Sequence, residues 1–249
     1  MRRMITVITA TYNAASTLPG LIESLRAQTD RAFEWIVVDG ASGDATPKLL
    51  ADAADVVTRW LSEPDFGIYD ALNKALRMTR SEYYLVLGAD DRLTPRAIEI
   101  YRAAAARSHA DIVTAPVTVD GEVVRPRSST QRWRSGPPLV SAHSVGSLIR
   151  RSLHDEIGLY SRRFPIAADT YFLLQVAERG KRVEVADETV GSFATAGVSG
   201  SDLLGALCES YRANVAVRGG AVGQGLLLFL RIVRNRRRIG TALMTREAR

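Results

Sequence analysis

Residues 5–25 read ITVITATYNAASTLPGLIESL, and two periodicities follow one another within them. Ile5 to Ala10 is a β-rich run that stops at the turn-forming Thr11-Tyr12-Asn13, and Leu18, Leu21, Ile22 and Leu25 then recur at the spacing of one helix face. The alternation continues down the chain. Phe33–Val38 reads as a buried strand ending at Asp39-Gly40, and Thr46-Pro47 reads as an N-cap followed by proline at the first helical position. Thr94-Pro95 repeats that device; between the two lie a strand over Val56–Leu61, a helix over Ile68–Met78 and a strand over Tyr83–Gly88. Strands separated by helices predict an α/β fold with a mainly parallel central sheet covered by helices on both faces.

After about residue 110 the pattern changes. Asp111–Val119 and Glu122–Val124 flank Asp120-Gly121, a hairpin turn signal, and the basic, Ser- and Pro-rich stretch 125–138 reads as a mobile loop. A helix is expected near Asp169 and a strand over Arg182–Val185. From Asp202 onward the chain is helical and basic, so residues 1–201 are read as one domain and 202–249 as a helical basic appendage.

The 249 residues, 46% hydrophobic and 24% charged, are enough to bury a core without staples, and one cysteine, Cys208, excludes an intramolecular disulfide. The start, Met1-Arg2-Arg3-Met4, runs directly into a strand with no signal-peptide stretch, and no apolar run reaches the ~20 residues of a membrane span. A cytoplasmic protein is expected. The formal charge of +6 is concentrated in two arginine-rich regions, at 125–163 and 212–249. Leu226-Leu-Leu-Phe-Leu230 followed by Arg231, Arg234 and Arg236 to Arg238 suits a helix lying on an anionic membrane surface; its alternative is a packing helix with a solvated basic end. No nucleic-acid reader motif accompanies the charge.

Open α/β sheets bind ligands beyond the carboxyl ends of their strands. Thr11-Tyr12-Asn13, Asp39 to Asp44 and Asp90-Asp91 all fall where those ends should lie. Each alone reads as a turn; together they read as one crevice. Neither G-x-G-x-x-G nor a P-loop occurs, which disfavours a dinucleotide dehydrogenase or P-loop enzyme. An aromatic face and carboxylates can hold a nucleotide instead, and Tyr12, Asp39 and Asp44 suit that task. Asp90-Asp91 are hard oxygen ligands suited to Mg²⁺ or Mn²⁺ on a diphosphate, or equally anions at a helix N-terminus. His143 has two readings, a diphosphate or metal contact and a structural hydrogen-bonding histidine. Trp133 either stacks on a sugar or pins its loop, and Cys208 reads as packing.

The stretches Thr9 to Ala14 (TATYNA), Val37 to Thr46 (VVDGASGDAT) and Leu87 to Asp91 (LGADD), in that order, resemble the nucleotide- and metal-binding signatures of family 2 glycosyltransferases with the GT-A fold. Ser62 to Lys74 (SEPDFGIYDALNK) is similar to the donor-side segment of a bacterial subgroup that builds glycolipids and surface polysaccharides, and Ile166-Ala-Ala-Asp169 resembles the segment carrying the family's base. The likeness spans roughly residues 4 to 200. It implies a Rossmann-like GT-A domain that moves a sugar from a nucleotide-diphosphate donor to a carbohydrate or lipid-linked hydroxyl, with inversion and with Mn²⁺ or Mg²⁺. By the same resemblance Ala10 and Tyr12 lie at the nucleotide, Asp39 binds the imide edge of the base, and Asp44 supports the pocket. Asp90 lies near the ribose or donor sugar, and Asp91 ligates the metal. Asp65, Asp70, Asn73 and Lys74 lie on the donor side, Asn73 with a structural alternative, and Asp169 is the general base. The sequence departs from the family at Tyr171, where a second acidic residue often stands, and at Gly40, where many relatives carry aspartate. A silent nucleotide-sugar-binding membrane scaffold and a metal-dependent nucleotidyltransferase are the competing readings.

Overall fold

A computed structural model describes residues 5–126, 141, 143–194 and 202–247, with side chains as far as residue 240. Trp133 and most of the basic stretch 125–138 lie outside the described residues. Strand β1 (Ile5–Thr11) runs through the centre of the main sheet, and its apolar residues divide between two cores. Ile5 and Val7 face one side, where α1 (Leu18–Arg26), α2 (Thr46–Asp52) and α4 (Ala97–Ser108) pack. Ile8 faces the other, with α3 (Ile68–Met78), α5 (Leu153–Ile157) and α6 (Ala168–Glu178). A strand buried on both faces favours a continuous apolar run, which β2 (Phe33–Asp39) comes close to supplying, while β1 interleaves the buried threonines Thr6, Thr9 and Thr11.

The seven-stranded sheet has the order β10-β6-β9-β4-β1-β2-β3, with β3 Arg59–Ser62, β4 Tyr83–Val86, β6 Ile112–Thr114, β9 Ser147–Arg150 and β10 Val183–Val185. β4, β1, β2 and β3 are mutually parallel, and only β9 runs against its neighbours. The chain lays β2 and β3 on one side of β1 and then returns to place β4 on the other. The gap beyond the carboxyl ends of β1 and β4 is therefore the switch point at which such sheets bind ligands. A second sheet, of order β5-β11-β7-β8, comprises Arg92–Leu93, Gly191–Phe193, Val117–Val119 and Glu122–Val124.

Three expectations are corrected. Residues 111–119 form two strands in different sheets, because the chain leaves the first at Thr114 and Pro116 has no N–H to continue a ladder. Neither threonine caps its helix. Thr46 Oγ1 accepts from Ala14 N at 2.8 Å, and Thr94 Oγ1 donates to Thr189 O at 3.2 Å, so tertiary partners took the hydroxyls. The strand expected from Val56 begins at Arg59, since Val56 and Val57 turn into the core. Asp120 and Gly121 do adopt left-handed φ values of 49° and 84° at the hairpin tip. The C-terminal helices are α7 (Leu203–Arg218), with Cys208 half-buried on it, and α8 (Ala221–Glu247); α7 buries Ala213 and Asn214.

Candidate active site

Two loops leave the carboxyl ends of β1 and β2 and are laced together. Asn13 N donates to Ser42 Oγ (2.8 Å), Gly43 N to Asn13 Oδ1 (3.0 Å), Ala15 N to Asp44 Oδ2 (3.0 Å) and Gly40 N to Thr11 O (2.8 Å). Asn13 and Ala41 hold φ of 48° and 59° to make this lacing. Beneath it lies Asp39, fully covered. Oδ1 accepts from the hydroxyls of Thr11 (2.9 Å) and Ser42 (2.5 Å), and Oδ2 from Ser42 N (2.9 Å) and the Ser62 hydroxyl (2.7 Å). Burial pushes its pKa up, but the Ser42, Ser62 and Thr11 donors outweigh it and hold the carboxyl below its ordinary value. These four bonds occupy the lone-pair positions of the carboxylate. Exposed Asp44 is also held low, first by Thr46, and it joins the two loops.

Tyr12 stands 69% exposed above this knot, at the end of the strand that carries half-buried Ala10. A Cβ on Gly40 would lie 2.8 Å from Asp65 Oδ2 and 3.4 Å from the Tyr12 ring. Glycine at 40 thus lets the Asp65 carboxylate lie over the loop, and an aspartate there would meet it as a like charge.

The β4 end is built differently. Asp91 is 1% exposed, and its oxygens are met by two backbone donors, Gly88 N at 2.7 Å and Ala194 N at 3.3 Å. Burial, with Asp90 adding repulsion, pushes its pKa up to about 7 against those donors. Arg92 fixes the turn by donating to Asp91 O and Thr17 O. Half-buried His143 packs against Phe193, the residue before Ala194, with ring centres 4.1 Å apart and planes tilted by 34°, and burial lowers its pKa. Among the described residues no three His, Cys, Asp or Glu side chains gather to close a metal site. A divalent cation held by one or two carboxylates plus substrate phosphates needs no such cluster, and the poorly compensated Asp91 beside Asp90 fits that donor set.

On α3, Asp70 is buried and pairs with Arg162 at 2.6 Å; burial pushes it up, and Arg162 brings it below its ordinary value. Lys74 binds Glu63 (2.7 Å) and Pro64 O (3.0 Å). Asn73 faces away from the crevice, its amide exchanging two bonds with the backbone of Tyr160 at 2.9 and 3.0 Å, which is the structural alternative. Asp169 opens α6 at the surface. Its Oδ1 lies 2.9 Å from the hydroxyl of Tyr69, which also reaches Ile166 O at 3.0 Å. Crowding by neighbouring protein raises the Asp169 pKa, while Tyr69 and Thr170 pull it back. Tyr69 itself is pushed well up by burial and stays a donor. Sequence reasoning missed Tyr69: it lies inside the quoted donor-side segment, but nothing local marks a partner 100 residues away.

A family model, glycosyl transferase family 2, matches residues 6–166, well over half the chain. A PGL/p-HBAD biosynthesis glycosyltransferase of Mycobacterium tuberculosis is 31% identical over 184 residues, covering 68% of each chain. The succinoglycan biosynthesis protein ExoO of Rhizobium meliloti is 32% identical over 156 residues, 61% of this chain and 44% of that one. Among solved structures, the mannosyltransferase PcManGT of Pyrobaculum calidifontis, in complex with GDP-Man and Mn²⁺, superposes with a TM-score of 0.71 at 20% identity, covering all of this chain and 76% of its own. TarS 1–349 of S. aureus, in complex with UDP, gives 0.65 at 18% identity over 90% of this chain and 69% of its own. With strand order, crevice and motifs in agreement, the chain belongs to glycosyltransferase family 2 and has the GT-A fold.

Proposed function

We propose that this glycosyltransferase moves a sugar from a nucleoside-diphosphate donor to a hydroxyl acceptor, with inversion and with Mn²⁺ or Mg²⁺ at Asp91. The observation that carries the reading is Asp91 itself: a covered carboxylate with too few donors, beside Asp90, at the β1/β4 switch point. The nucleotide- and Mn²⁺-bound solved neighbours support it. When bound, the cation neutralises charge gathering on the leaving diphosphate. Tyr12 offers its exposed ring to the base beside Ala10. Asp39 holds the loop in which the base sits, and its contact with the base edge requires exchange of one of its four hydrogen bonds. Asp44 supports the pocket through Ala15, Asp90 serves the ribose or donor sugar, and Asp65, Asp70 and Lys74 frame the donor side. Asp169 accepts the acceptor's hydroxyl proton as that oxygen bonds the anomeric carbon. The bond from that carbon to the diphosphate breaks, and its electron pair leaves with the diphosphate. Attack from the opposite face inverts the centre, so one base suffices.

Relatives named for PGL/p-HBAD and succinoglycan biosynthesis support a carbohydrate or lipid-linked acceptor. The exposed face of α8 supports a membrane-surface site. Val222, Leu226, Phe229, Leu230 and Val233 are exposed along one helix face, which continues into exposed Arg234 and Arg237. No helix among the described residues is long and apolar enough to cross a membrane. Removing residues 222–249 is expected to lower partitioning onto anionic liposomes by well over ~10-fold, since each basic residue near the surface contributes roughly 1 kcal/mol. Equal sedimentation of the folded truncated and full-length chains rejects the anchor.

The reaction is tested at Asp169. A panel of nucleotide-diphosphate sugars with Mn²⁺, including UDP-GlcNAc and GDP-mannose, selects the donor by thermal shift. Asp169→Asn is then expected to keep donor affinity and melting temperature while single-turnover transfer falls by ~10²–10⁴. A folded variant transferring at the original rate removes Asp169 from the chemistry.

A further inference from the structure

The segment Ile166-Ala-Ala-Asp169 starts α6 without a cap of its own. Ala167 stands at the N-cap and has no side-chain oxygen for the free N–H groups of the first turn. The amides of the N-cap residue and of the residue before it are instead bound from another helix. Glu209, buried on α7, places Oε2 at 2.8 Å from Ile166 N and 2.9 Å from Ala167 N. The same helix lays the Arg212 guanidinium 5.6 Å from the centre of the Phe164 ring and pairs Arg218 with Glu178 at 2.8 Å, at the far end of α6. The single hydroxyl proton of Tyr69, on α3, is shared between Ile166 O and Asp169 Oδ1. Ile166 is therefore tied through its N–H to α7 and through its C=O to α3, three residues before the candidate base.

We propose that Glu209 is a positioning residue for sugar transfer: its carboxylate fixes the start of α6 and so presents Asp169 to the acceptor in one orientation. The inference rests on the reading of Asp169 as base. Charge-assisted bonds to two backbone donors are strong and short, and their loss leaves the buried Ala167 N–H and the half-buried Ile166 N–H without a protein acceptor. A shift of about 1 Å at a reacting group is enough to cost about 10² in rate. Helix α7 is on this view part of the working enzyme.

The test uses the full chain. In Glu209→Ala, amide hydrogen exchange at Ile166 and Ala167 is expected to accelerate at least ~10-fold. Nucleotide diphosphate release from UDP-GlcNAc or GDP-mannose with Mn²⁺ is expected to show kcat lower by ~10–100-fold at unchanged donor KM. Glu209→Gln, which keeps an acceptor oxygen, restores most of both. Glu209→Asp, shorter by one methylene, serves if the alanine variant does not fold, with kcat reduced at unchanged KM. Unchanged exchange overturns the brace; so does loss of kcat that only tracks loss of folded protein. The exchange measurement needs no donor, so the two readings fail separately. If Asp169→Asn turns over normally while Glu209→Ala still loosens the amides, the catalytic role of the brace is overturned.

Discussion

Two covered aspartates sit at strand ends on either side of β1, and the protein treats them in opposite ways. Asp39, at the end of β2, accepts four hydrogen bonds and is held below its ordinary pKa. Asp91, beyond the end of β4, accepts two from the backbone and is pushed to about 7. Burial is common to both, so it does not decide their chemistry; the supply of donors does. A saturated carboxylate ties neighbouring loops together. An unsaturated one retains a demand for positive charge that a cation or a proton can answer.

The largest effect that would break this contrast is at Asp91. Asp91→Asn is expected to weaken Mn²⁺-dependent binding of a nucleoside diphosphate by ~100-fold while the fold persists, read by titration calorimetry with and without metal. Unchanged affinity and metal dependence remove Asp91 from the metal site. The metal-free protein carries a second signature. A raised folded-state pKa means the native state holds the proton more tightly than the unfolded chain. Asp91 therefore lowers stability as pH rises from about 4 through about 7, by on the order of 4 kcal/mol. Melting curves in chelator across that window should show this slope in the wild type and its loss in Asp91→Asn.

The smaller effect sharpens the contrast. Asp39 has a depressed folded-state pKa, so its contribution is present above the unfolded value and is lost as pH falls, the opposite sign. Asp39→Asn puts an NH₂ where hydroxyl and amide donors converge and is expected to cost about 1–3 kcal/mol at neutral pH. Chemical denaturation measures it, and a variant as stable as the parent would show that the knot is not what holds the two loops.

Legibility in the sequence followed how local each interaction is. The β1–α1–β2 frame was readable because Ile5 to Ala10 and Leu18 to Leu25 carry their periodicities within a few residues. Ile68–Met78 was readable to the residue for the same reason. The hydroxyls of Thr46 and Thr94 resembled caps, but partners 32 and 95 residues away claimed them. The candidate carboxylates could be picked by type and place, whereas the difference between Asp39 and Asp91 lay in donors brought by Ser62 and Ala194. Asn73, Tyr69 and Glu209 act through contacts spanning 87, 100 and 43 residues, which no local pattern encodes.

The Glu209 brace just ahead of α6 also sets an order of events during synthesis. The amides of Ile166 and Ala167 leave the ribosome 43 and 42 residues ahead of the carboxylate that receives them. At ~5–20 residues per second that interval is roughly two to nine seconds. Through it the parallel β1–β4 core can already be assembled, while the turn that carries Asp169 still lacks its acceptor. The nascent chain can therefore own a finished crevice at the β1/β4 ends before the segment carrying the proposed base, Asp169, is braced.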